Sequence, residues 1–494
     1  MTDVQTRTPY LDALEAYSRQ GTLSFHVPGH KQGKGLPARF RALVGEQALK
    51  LEITQVLGLD DVHHPRNAVK EAQDLAALAY GARQSFFLVN GSSSGVQAMI
   101  LSTCAPEEPV LVPRNAHKSV IGALLMVGAR PVYVYPEYDY EYNIDHTPTL
   151  ASYEQALEAH PDVRTVLLSS PTYYGSTGDV HGIVQRMHQL GRVVLVDEAW
   201  GPHLRFHEDL PMSALQAGAD MVVNSTHKLA GAMSQGSMLH VLGPAIDVDR
   251  VQSVVRLFLS TSPSCLILAS LDAARMQLAT EGRELLGRTL ALADHCRAEI
   301  NRMQGLSCFG AELIGRPGVQ GYDRTRICVQ VKGLDMSGYE AEEWLRDHAH
   351  VQAEMSDLFN VVFLLTIGDR PQDIETLLDA LRALSQAARE GPPRTPPPWF
   401  TGRFELPDWP PIRMTPREAF FSPSRRVPLR ASAGFISAEI ITPYPPGIPL
   451  LVPGEEITPD IIRYIEIELD AGIKVHGLID EDEREVRVLD FQEY

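Results

Sequence analysis

The feature that most constrains the fold is a series of short apolar runs that end in turn residues and alternate with helical segments. Between about residues 72 and 228 these runs are, in order, SFFLV, VLVPR, ARPVYVYP, VRTVLLSS, VVLVDEAW and DMVVN. Apolar strands that alternate with helices are typical of a largely parallel sheet covered on both faces. The pattern therefore predicts an α/β fold class for this part of the chain.

The rest of the chain is long enough for further domains. A helical pattern over residues 267–303 precedes a smaller α+β region, in which TRICVQVKG and NVVFLLTIG alternate with predicted helices at 339–348 and 372–388. The run GPPRTPPP predicts a stiff linker, because proline cannot continue a helix. The predicted domains are an N-terminal arm (1–70), a large domain (71–275), a small α+β domain (276–390), the linker (391–398) and a C-terminal α+β domain (399–494).

Composition excludes several classes of function. The 494 residues include 44 Lys and Arg against 62 Asp and Glu, which gives a formal net charge of −18. Such a chain repels the phosphates of nucleic acids and membranes, so neither is predicted as a partner. Five cysteines, an odd number without C-x-x-C pairs, are typical of reduced thiols. Because the N-terminus also lacks an apolar signal segment, we expect a cytoplasmic protein.

Four strand ends carry residues suited to chemistry, since ligands of α/β sheets bind outside the carboxyl ends of the strands. One of them, after VLVPR, brings the imidazole of His117 to this edge. Ser92, Ser93 and Ser94 begin an apolar helix and could hold an anion, although a serine N-cap on a buried helix explains them equally well. Asp197 ends an apolar strand, where it could be a helix cap, a metal ligand or a partner for a protonated nitrogen. Lys228 follows the next strand. An anion site, an acid and an amine are the groups that pyridoxal phosphate requires.

With these motifs in place, the sequence resembles a known family. The motifs STHK, VDEAW, PRNAHKS, TPYPPGIPLLVPGE and FHVPGHKQG resemble those of the Orn/Lys/Arg decarboxylases, which are fold type I pyridoxal-phosphate enzymes. The resemblance covers nearly the whole chain. It implies an aspartate-aminotransferase-like large domain with a mostly parallel sheet, followed by a small α+β domain and a C-terminal α+β domain.

The resemblance also implies roles for individual residues. Lys228 matches the lysine that forms the Schiff base, Asp197 the partner of the ring nitrogen, and His117 the residue stacked on the ring. His227, a candidate proton donor alongside Lys228, completes the predicted catalytic set. The other predicted cofactor contacts are Ser92, Ser93, Ser94, Thr172, Ala199, Trp200, Ser225 and Ser262, and no metal is predicted.

The implied activity is pyridoxal-phosphate-dependent decarboxylation of a basic L-amino acid to a polyamine precursor. Arginine, which gives agmatine, is favoured, and lysine and ornithine are alternatives. Only about seventy residues precede the first catalytic strand, too few for the N-terminal wing of degradative members, so we expect a biosynthetic type. By analogy, we expect a homodimer or a dimer of dimers, in which the arm and Ser262 of one subunit reach the active site of the other.

Two other functions stay open at this point. Another fold type I enzyme, an aminotransferase or a lyase, would share Asp197 and Lys228 but would normally show an arginine clamp for the substrate carboxylate, and the small domain has no such motif. The other is a catalytically silent regulatory relative. The presence of Lys228, Asp197 and His117 argues against it, because a silent relative would not need to keep them.

Acidic residues outside these strand ends fall into two groups, candidate substrate contacts and surface residues. Those of the GLDD segment (Asp60, Asp61), with Glu354 and Glu439, are candidate contacts for a cationic substrate side chain. Glu455 and Glu456 are predicted to lie on a solvated surface.

Overall fold

The structure is a computed structural model that describes residues 4–392, 400, 406–444, 447–479 and 484–490. Most of the predicted proline-rich linker, residues 393–398, lies outside the described residues. The chain divides into two compact units. The first comprises residues up to 103, 184–189 and 193–287, and the second comprises 104–183, 190–192 and the chain from 288 onward. The predicted domain boundaries stay a prediction.

The helices follow the predicted pattern closely. In chain order, the α-helices of the described residues are α1 (Pro9–Arg19), α2 (Ala38–Val44), α3 (Glu46–Leu51), α4 (Ala68–Tyr80), α5 (Gly91–Thr103), α6 (Lys118–Val127), α7 (Leu150–Ala159), α8 (Val180–Gln189), α9 (Thr226–Leu229), α10 (Val248–Phe258), α11 (Cys265–Ile300), α12 (Gly338–Ala349), α13 (Pro371–Glu390), α14 (Pro416–Phe421) and α15 (Pro459–Asp470). The helices predicted over 267–303, 339–348 and 372–388 are thereby confirmed as α11, α12 and α13.

The strands are short, as predicted. In the same order they are β1 (Gln84–Leu88), β2 (Pro109–Pro113), β3 (Arg130–Val134), β4 (Tyr138–Asp139), β5 (Ile144–Asp145), β6 (Thr165–Ser169), β7 (Ser176–Thr177), β8 (Val193–Asp197), β9 (Met221–Asn224), β10 (Ser237–Val241), β11 (Ser307–Cys308), β12 (Gly321–Tyr322), β13 (Arg326–Gln330), β14 (Met355–Ser356), β15 (Asn360–Leu364), β16 (Ser424–Pro428), β17 (Thr442–Tyr444), β18 (Lys474–His476) and β19 (Glu485–Leu489).

In the first unit, four strands lie in the order β1, β10, β9, β8. Strands β8 and β9 run parallel, whereas β10 is antiparallel to both of its neighbours. The sequence patterns did not predict β10, whose five residues include polar side chains at Ser237 and His240. Both are fully buried, and the imidazole Nδ1 of His240 lies 2.7 Å from the hydroxyl of Ser85. Burial lowers the pKa of His240 to about 3, so its neutral ring packs like an apolar side chain.

Helix α5 packs directly on this sheet, and a glycine makes the close approach possible. A Cβ atom added at Gly95 would lie 2.5 Å from a methyl carbon of Val223 and 2.8 Å from one of Leu88. Real carbon atoms do not approach so closely, so any larger residue would force the helix away from the strands. Gly95 therefore fixes where the N-terminus of α5 lies relative to β1 and β9.

The second unit contains three parallel strands in the order β6, β2, β3, together with several smaller sheets. An antiparallel sheet in the order β11, β13, β15, β14 buries its apolar face against α12 and α13. Towards the C-terminus, α15 and the strand pairs β16–β19 and β17–β18 enclose a separate apolar core. Parallel strands and covering helices confirm the predicted α/β class, with β10 making the sheet mixed rather than wholly parallel.

Candidate active site

Strands β8 and β9 bring two predicted catalytic residues to one edge of the sheet. The strands are parallel, with Asp197 opposite Val223. Strand β9 ends one residue before Ser225, whose amide donates to the carbonyl of Ala199 at 3.3 Å. The single turn of α9 follows and carries Lys228, whose Nζ lies 3.6 Å from the centroid of the Trp200 ring. The amine is thus held over an aromatic face, next to the end of the neighbouring strand.

The carboxyl group of Asp197 is set up to receive a cationic partner. It is buried, and one oxygen accepts the amide of Ala199 at 3.1 Å. Among the described residues, the other oxygen accepts no hydrogen bond. Burial raises the pKa of Asp197, and the charge of Lys228 offsets part of that rise. A buried carboxylate with one free oxygen fits the protonated ring nitrogen of pyridoxal phosphate, which would stabilise its ionised form.

The N-terminus of α5 carries the serines that were predicted to hold an anion. The hydroxyl of Ser225 donates to that of Ser92 at 2.7 Å, which joins the end of β9 to this helix. The Ser94 hydroxyl donates to the carbonyl of Gly91 at 2.7 Å and so belongs to the helix start. Helix N-termini bind phosphate through free amides and the helix dipole, so this end of a thirteen-residue helix fits the cofactor phosphate.

His227 precedes the lysine and has a defined tautomer. Its Nδ1 donates to the carbonyl of Gly236 at 3.0 Å, since a carbonyl can only accept. Burial is the main cause that lowers the pKa of His227, and the charge of Lys228 adds to it. A neutral ring protonated at Nδ1 presents an unprotonated Nε2, which can accept a proton but has none to give.

Two predicted cofactor residues, His117 and Thr172, belong to the second unit. His117 is the N-cap of α6, and its Nδ1 accepts the amide of Ser119 at 3.2 Å, which fixes the orientation of the ring. Thr172 is buried, and its hydroxyl lies 2.8 Å from that of Ser176. Each side chain is therefore held by its own loop.

A buried histidine joins these two loops. The Nδ1 of His146 lies 3.1 Å from the hydroxyl of Ser176, which also contacts Thr172. The carbonyl of His146 accepts a hydrogen bond from the side-chain amide of Asn115, two residues before His117, at 3.1 Å. The sequence patterns missed this role of His146, because nothing local marks a histidine that bridges two loops.

The residues predicted to serve a neighbouring subunit lie elsewhere in the first unit. Ser262 is exposed, in the turn between α10 and α11, where it contacts Ser260. The carboxylate of Asp60 accepts several backbone amides at the start of α4, including those of Asn67 at 2.7 Å and Val69 at 3.1 Å. Asp60 therefore stabilises the start of this helix within its own chain.

The prediction that Glu455 lies on a solvated surface is wrong. Its side chain is 2% exposed and faces the guanidinium of Arg114, which is 1% exposed. The Nε of Arg114 donates to one carboxylate oxygen at 3.0 Å, and Nη2 donates to the other at 2.8 Å. An arginine at the end of the buried strand β2 requires a counter-charge, and that was the signal available in the sequence. Glu456, by contrast, pairs with the half-exposed Arg413.

Sequence reasoning also missed Glu198, the residue after Asp197. Its carboxyl group is buried, accepts the amide of Ala214 at 2.6 Å and accepts the side chain of Asn224 at 3.1 Å. Burial raises the pKa of Glu198 to about 8. Glu198 therefore links the end of β8 to the end of β9, and so supports the edge that carries Asp197 and Lys228.

The fold and the edge residues together define a class of protein. A mixed, mostly parallel sheet covered by helices, with an aspartate at one strand end and a lysine beyond the next, is the fold of fold type I pyridoxal-phosphate enzymes. The solved structure of the constitutive lysine decarboxylase of Escherichia coli superposes with a TM-score of 0.82 at 22% identity, covering 98% of this chain and 82% of that chain.

Sequence comparison then identifies the family. Residues 8–330 match the major domain of Orn/Lys/Arg decarboxylases, and residues 405–481 match their C-terminal domain. Arginine decarboxylases of Bacillus anthracis and Bacillus subtilis are 42% and 41% identical over 485 residues, 98% of this chain and 98% of each relative. The chain belongs to the Orn/Lys/Arg decarboxylase family and is a pyridoxal-phosphate-dependent amino-acid decarboxylase.

Proposed function

We propose that this enzyme decarboxylates arginine to agmatine. The observation that carries the proposal is the sheet edge itself, where the Nζ of Lys228 lies over Trp200 beside the end of the strand that carries the buried Asp197. Full-length relatives named arginine decarboxylase, at 41–42% identity, support arginine as the substrate. Relatives named lysine decarboxylase are more distant, at 24–27% identity.

We propose that each of the residues described above would contact a different part of pyridoxal phosphate. Ser92, Ser93 and Ser225, with the N-terminus of α5, would hold the phosphate, and Lys228 would bind the aldehyde carbon. Asp197 would keep the ring nitrogen protonated, and His117 would pack against the ring. When bound, the cofactor supplies the sink for the electron pair that remains at the substrate Cα when CO₂ leaves. Asp197 is essential in this scheme because it maintains the positive charge of that sink.

We propose that Lys228 donates the proton that replaces the carboxylate at Cα. The competing candidate is His227, but its only ring proton is donated to the Gly236 carbonyl, and its pKa is lowered by burial. The Lys228 ammonium carries three protons on a flexible stem. His227 then orients the turn of α9 through its hydrogen bond, and Lys228 moves the proton.

The substrate assay is direct. The purified protein, loaded with pyridoxal phosphate, is incubated separately with arginine, lysine and ornithine, and each product is identified by mass. We expect agmatine from arginine as the main product. Formation of a keto acid instead of an amine, or preferential turnover of lysine or ornithine, would contradict the proposal.

A lysine variant tests the site. Lys228→Ala should abolish amine formation, and borohydride should no longer fix the cofactor covalently to the chain. Lys70→Ala is the matched control, because Lys70 lies on the surface of α4 and pairs with Asp74. Normal turnover by the Lys228 variant would refute the assigned role.

We further propose that the enzyme is a homodimer or a dimer of dimers, with active sites at the interface. The N-terminal segment exposes large apolar side chains, among them Phe25 at 88%, Leu43 at 76% and Leu57 at 99%. Such a high share of exposed apolar side chains in one segment favours an interface. Light scattering should give at least twice the chain mass of 54.5 kDa, and Leu57→Asp should lower it.

We place the reaction in the cytoplasm, where its amine product would serve as a polyamine precursor. All five cysteines are buried thiols outside any disulfide, which supports a reducing compartment. Among the helices of the described residues, none has the length and apolar character that crossing a membrane requires.

A further inference from the structure

A separate cavity of about 500 Å³ lies inside the second unit. Its walls come from the β4–β5 hairpin, from the residues after β14 and from several segments between 406 and 468. Its described lining includes none of the predicted cofactor residues. Small-molecule sites typically occupy roughly 300–1,000 Å³, so the cavity has the volume of a ligand site.

The lining has an unusual chemical composition. Seven of the side chains are aromatic and five are carboxylic acids, whereas no lysine, arginine or histidine occurs among the described lining residues. Aromatic faces attract cations through their quadrupole, and carboxylates attract them by charge. Both kinds of group therefore favour the same class of ligand, a positively charged one.

Two of the acids are oriented by tyrosine hydroxyls. Tyr174 donates to Asp357 at 2.7 Å, and Tyr339 donates to Glu468 at 2.9 Å. Asp145 of β5, which is partly exposed, differs from them. Among the described residues, its carboxylate accepts no hydrogen bond, so both oxygens are available to a ligand.

Among the described lining residues, no basic side chain supplies a counter-charge for these acids. Burial alone raises the pKa of Asp145 to about 7, and burial, partly offset by the Tyr339 hydrogen bond, raises that of Glu468 to about 7. Burial also raises the pKa of Asp357. Buried carboxylates without a cation are unfavourable, and a bound ammonium group would supply the missing partner.

Two aromatic residues of the wall already contact a cation of the protein, and one of them is Phe359, whose ring centroid lies 5.3 Å from the Nζ of Lys332. The guanidinium carbon of Arg114 lies 5.1 Å from the centroid of the Trp409 ring, and Trp409 lines the cavity. The charge of Arg114 is neutralised by Glu455 and so does not oppose a second cation nearby. The contact is an example, within this protein, of a cation held at an aromatic ring.

We propose that this cavity binds an aliphatic di- or polyamine without a carboxylate group, with Asp145, Asp357 and Glu468 as the acceptors of its ammonium groups. The selectivity follows from the lining, since the carboxylate of an amino acid would meet acids and no basic side chain there. The proposal goes beyond the proposed function, because binding at this cavity requires no turnover.

The test uses the full-length protein loaded with pyridoxal phosphate. It is titrated with spermidine, and in parallel with arginine, while tryptophan fluorescence and heat are recorded. We expect saturable spermidine binding that Asp145→Asn and Glu468→Gln each weaken about tenfold or more, as for the loss of a charge-assisted hydrogen bond. Arginine binding should be unaffected by either variant.

Controls separate the cavity from other effects. Glu158→Gln removes the same charge from an exposed position on α7 and should leave the spermidine affinity unchanged. Trp409→Phe removes the fluorophore of the cavity wall and should abolish the fluorescence change. Because this variant keeps every carboxylate, the heat of binding should remain. We expect Lys228→Ala, which should lack turnover, to bind spermidine as the wild type does. This result would distinguish the proposed amine binding from the proposed catalytic function. Equal spermidine affinity in the wild type, Asp145→Asn and Glu468→Gln would overturn it.

Discussion

Breaking the buried ion pair between Arg114 and Glu455 should destabilise the protein by an amount that can be measured. The two residues are 341 positions apart in the sequence, and both side chains are almost fully buried. Besides its two bonds to the carboxylate, Arg114 donates to the carbonyl of Pro449 at 2.6 Å and to that of Leu450 at 3.1 Å. The arginine thus joins the end of β2 to the C-terminal part of the chain.

Removing one charge of this pair leaves the other buried without a partner. Breaking a buried pair in this way typically destabilises a protein by about 3–5 kcal/mol. Glu455→Gln keeps the shape of the side chain, so we expect its free energy of unfolding to fall by about that amount. The matched control is Glu15→Gln, which breaks a pair with Arg19 whose side chains are 54% and 75% exposed. An exposed pair contributes about 1 kcal/mol or less.

The assay is urea unfolding followed by tryptophan fluorescence, since Trp409 contacts Arg114. Arg114→Met combined with Glu455→Leu should be less destabilised than the sum of the two single variants, because no unpaired charge is left in the double variant. If Glu455→Gln unfolds at the same urea concentration as Glu15→Gln, the interpretation of this pair as a buried, stabilising contact is refuted.

Three further predictions concern the catalytic edge, its packing and the cavity. Asp197→Asn should lower kcat about a hundredfold or more while cofactor binding persists, because an amide cannot keep the ring nitrogen protonated, and normal kcat would count against this role. Gly95→Ala should destabilise the protein by about 1–3 kcal/mol in thermal unfolding, through contact with Val223, and an unchanged melting temperature would contradict the packing argument. Burial raises the pKa of Asp145 and Glu468 to about 7 in the folded state, above their values of about 4 in the unfolded chain, so stability should fall as pH rises from about 4 to about 7 and should level off above that. The double variant Asp145→Asn with Glu468→Gln should flatten this fall in urea melts, and an equal slope in both proteins would disprove it.

Much of the catalytic edge is predictable because its determinants are local. Asp197 ends an apolar run and Lys228 follows the next one, and consecutive parallel strands place their carboxyl ends at one edge. The pattern of apolar and turn residues thus contains both the strand and the position of the functional group. The resemblance to the family added the individual roles, such as that of His117, which no periodicity could supply.

The remaining features depend on partners that are distant in the chain. A buried acid and a surface acid have the same local pattern, so Glu455 could be distinguished from Glu456 only through Arg114, which directly follows a strand more than 300 residues earlier. Strand β10 was missed for the same reason, since His240 becomes compatible with a buried strand only when Ser85 binds its ring. The cavity lined by Asp145 and Glu468 likewise combines residues from separate segments. Apolar periodicity reports which side chains avoid water, but the free energy of a buried charge depends on its partner, and that information exists only in the folded chain.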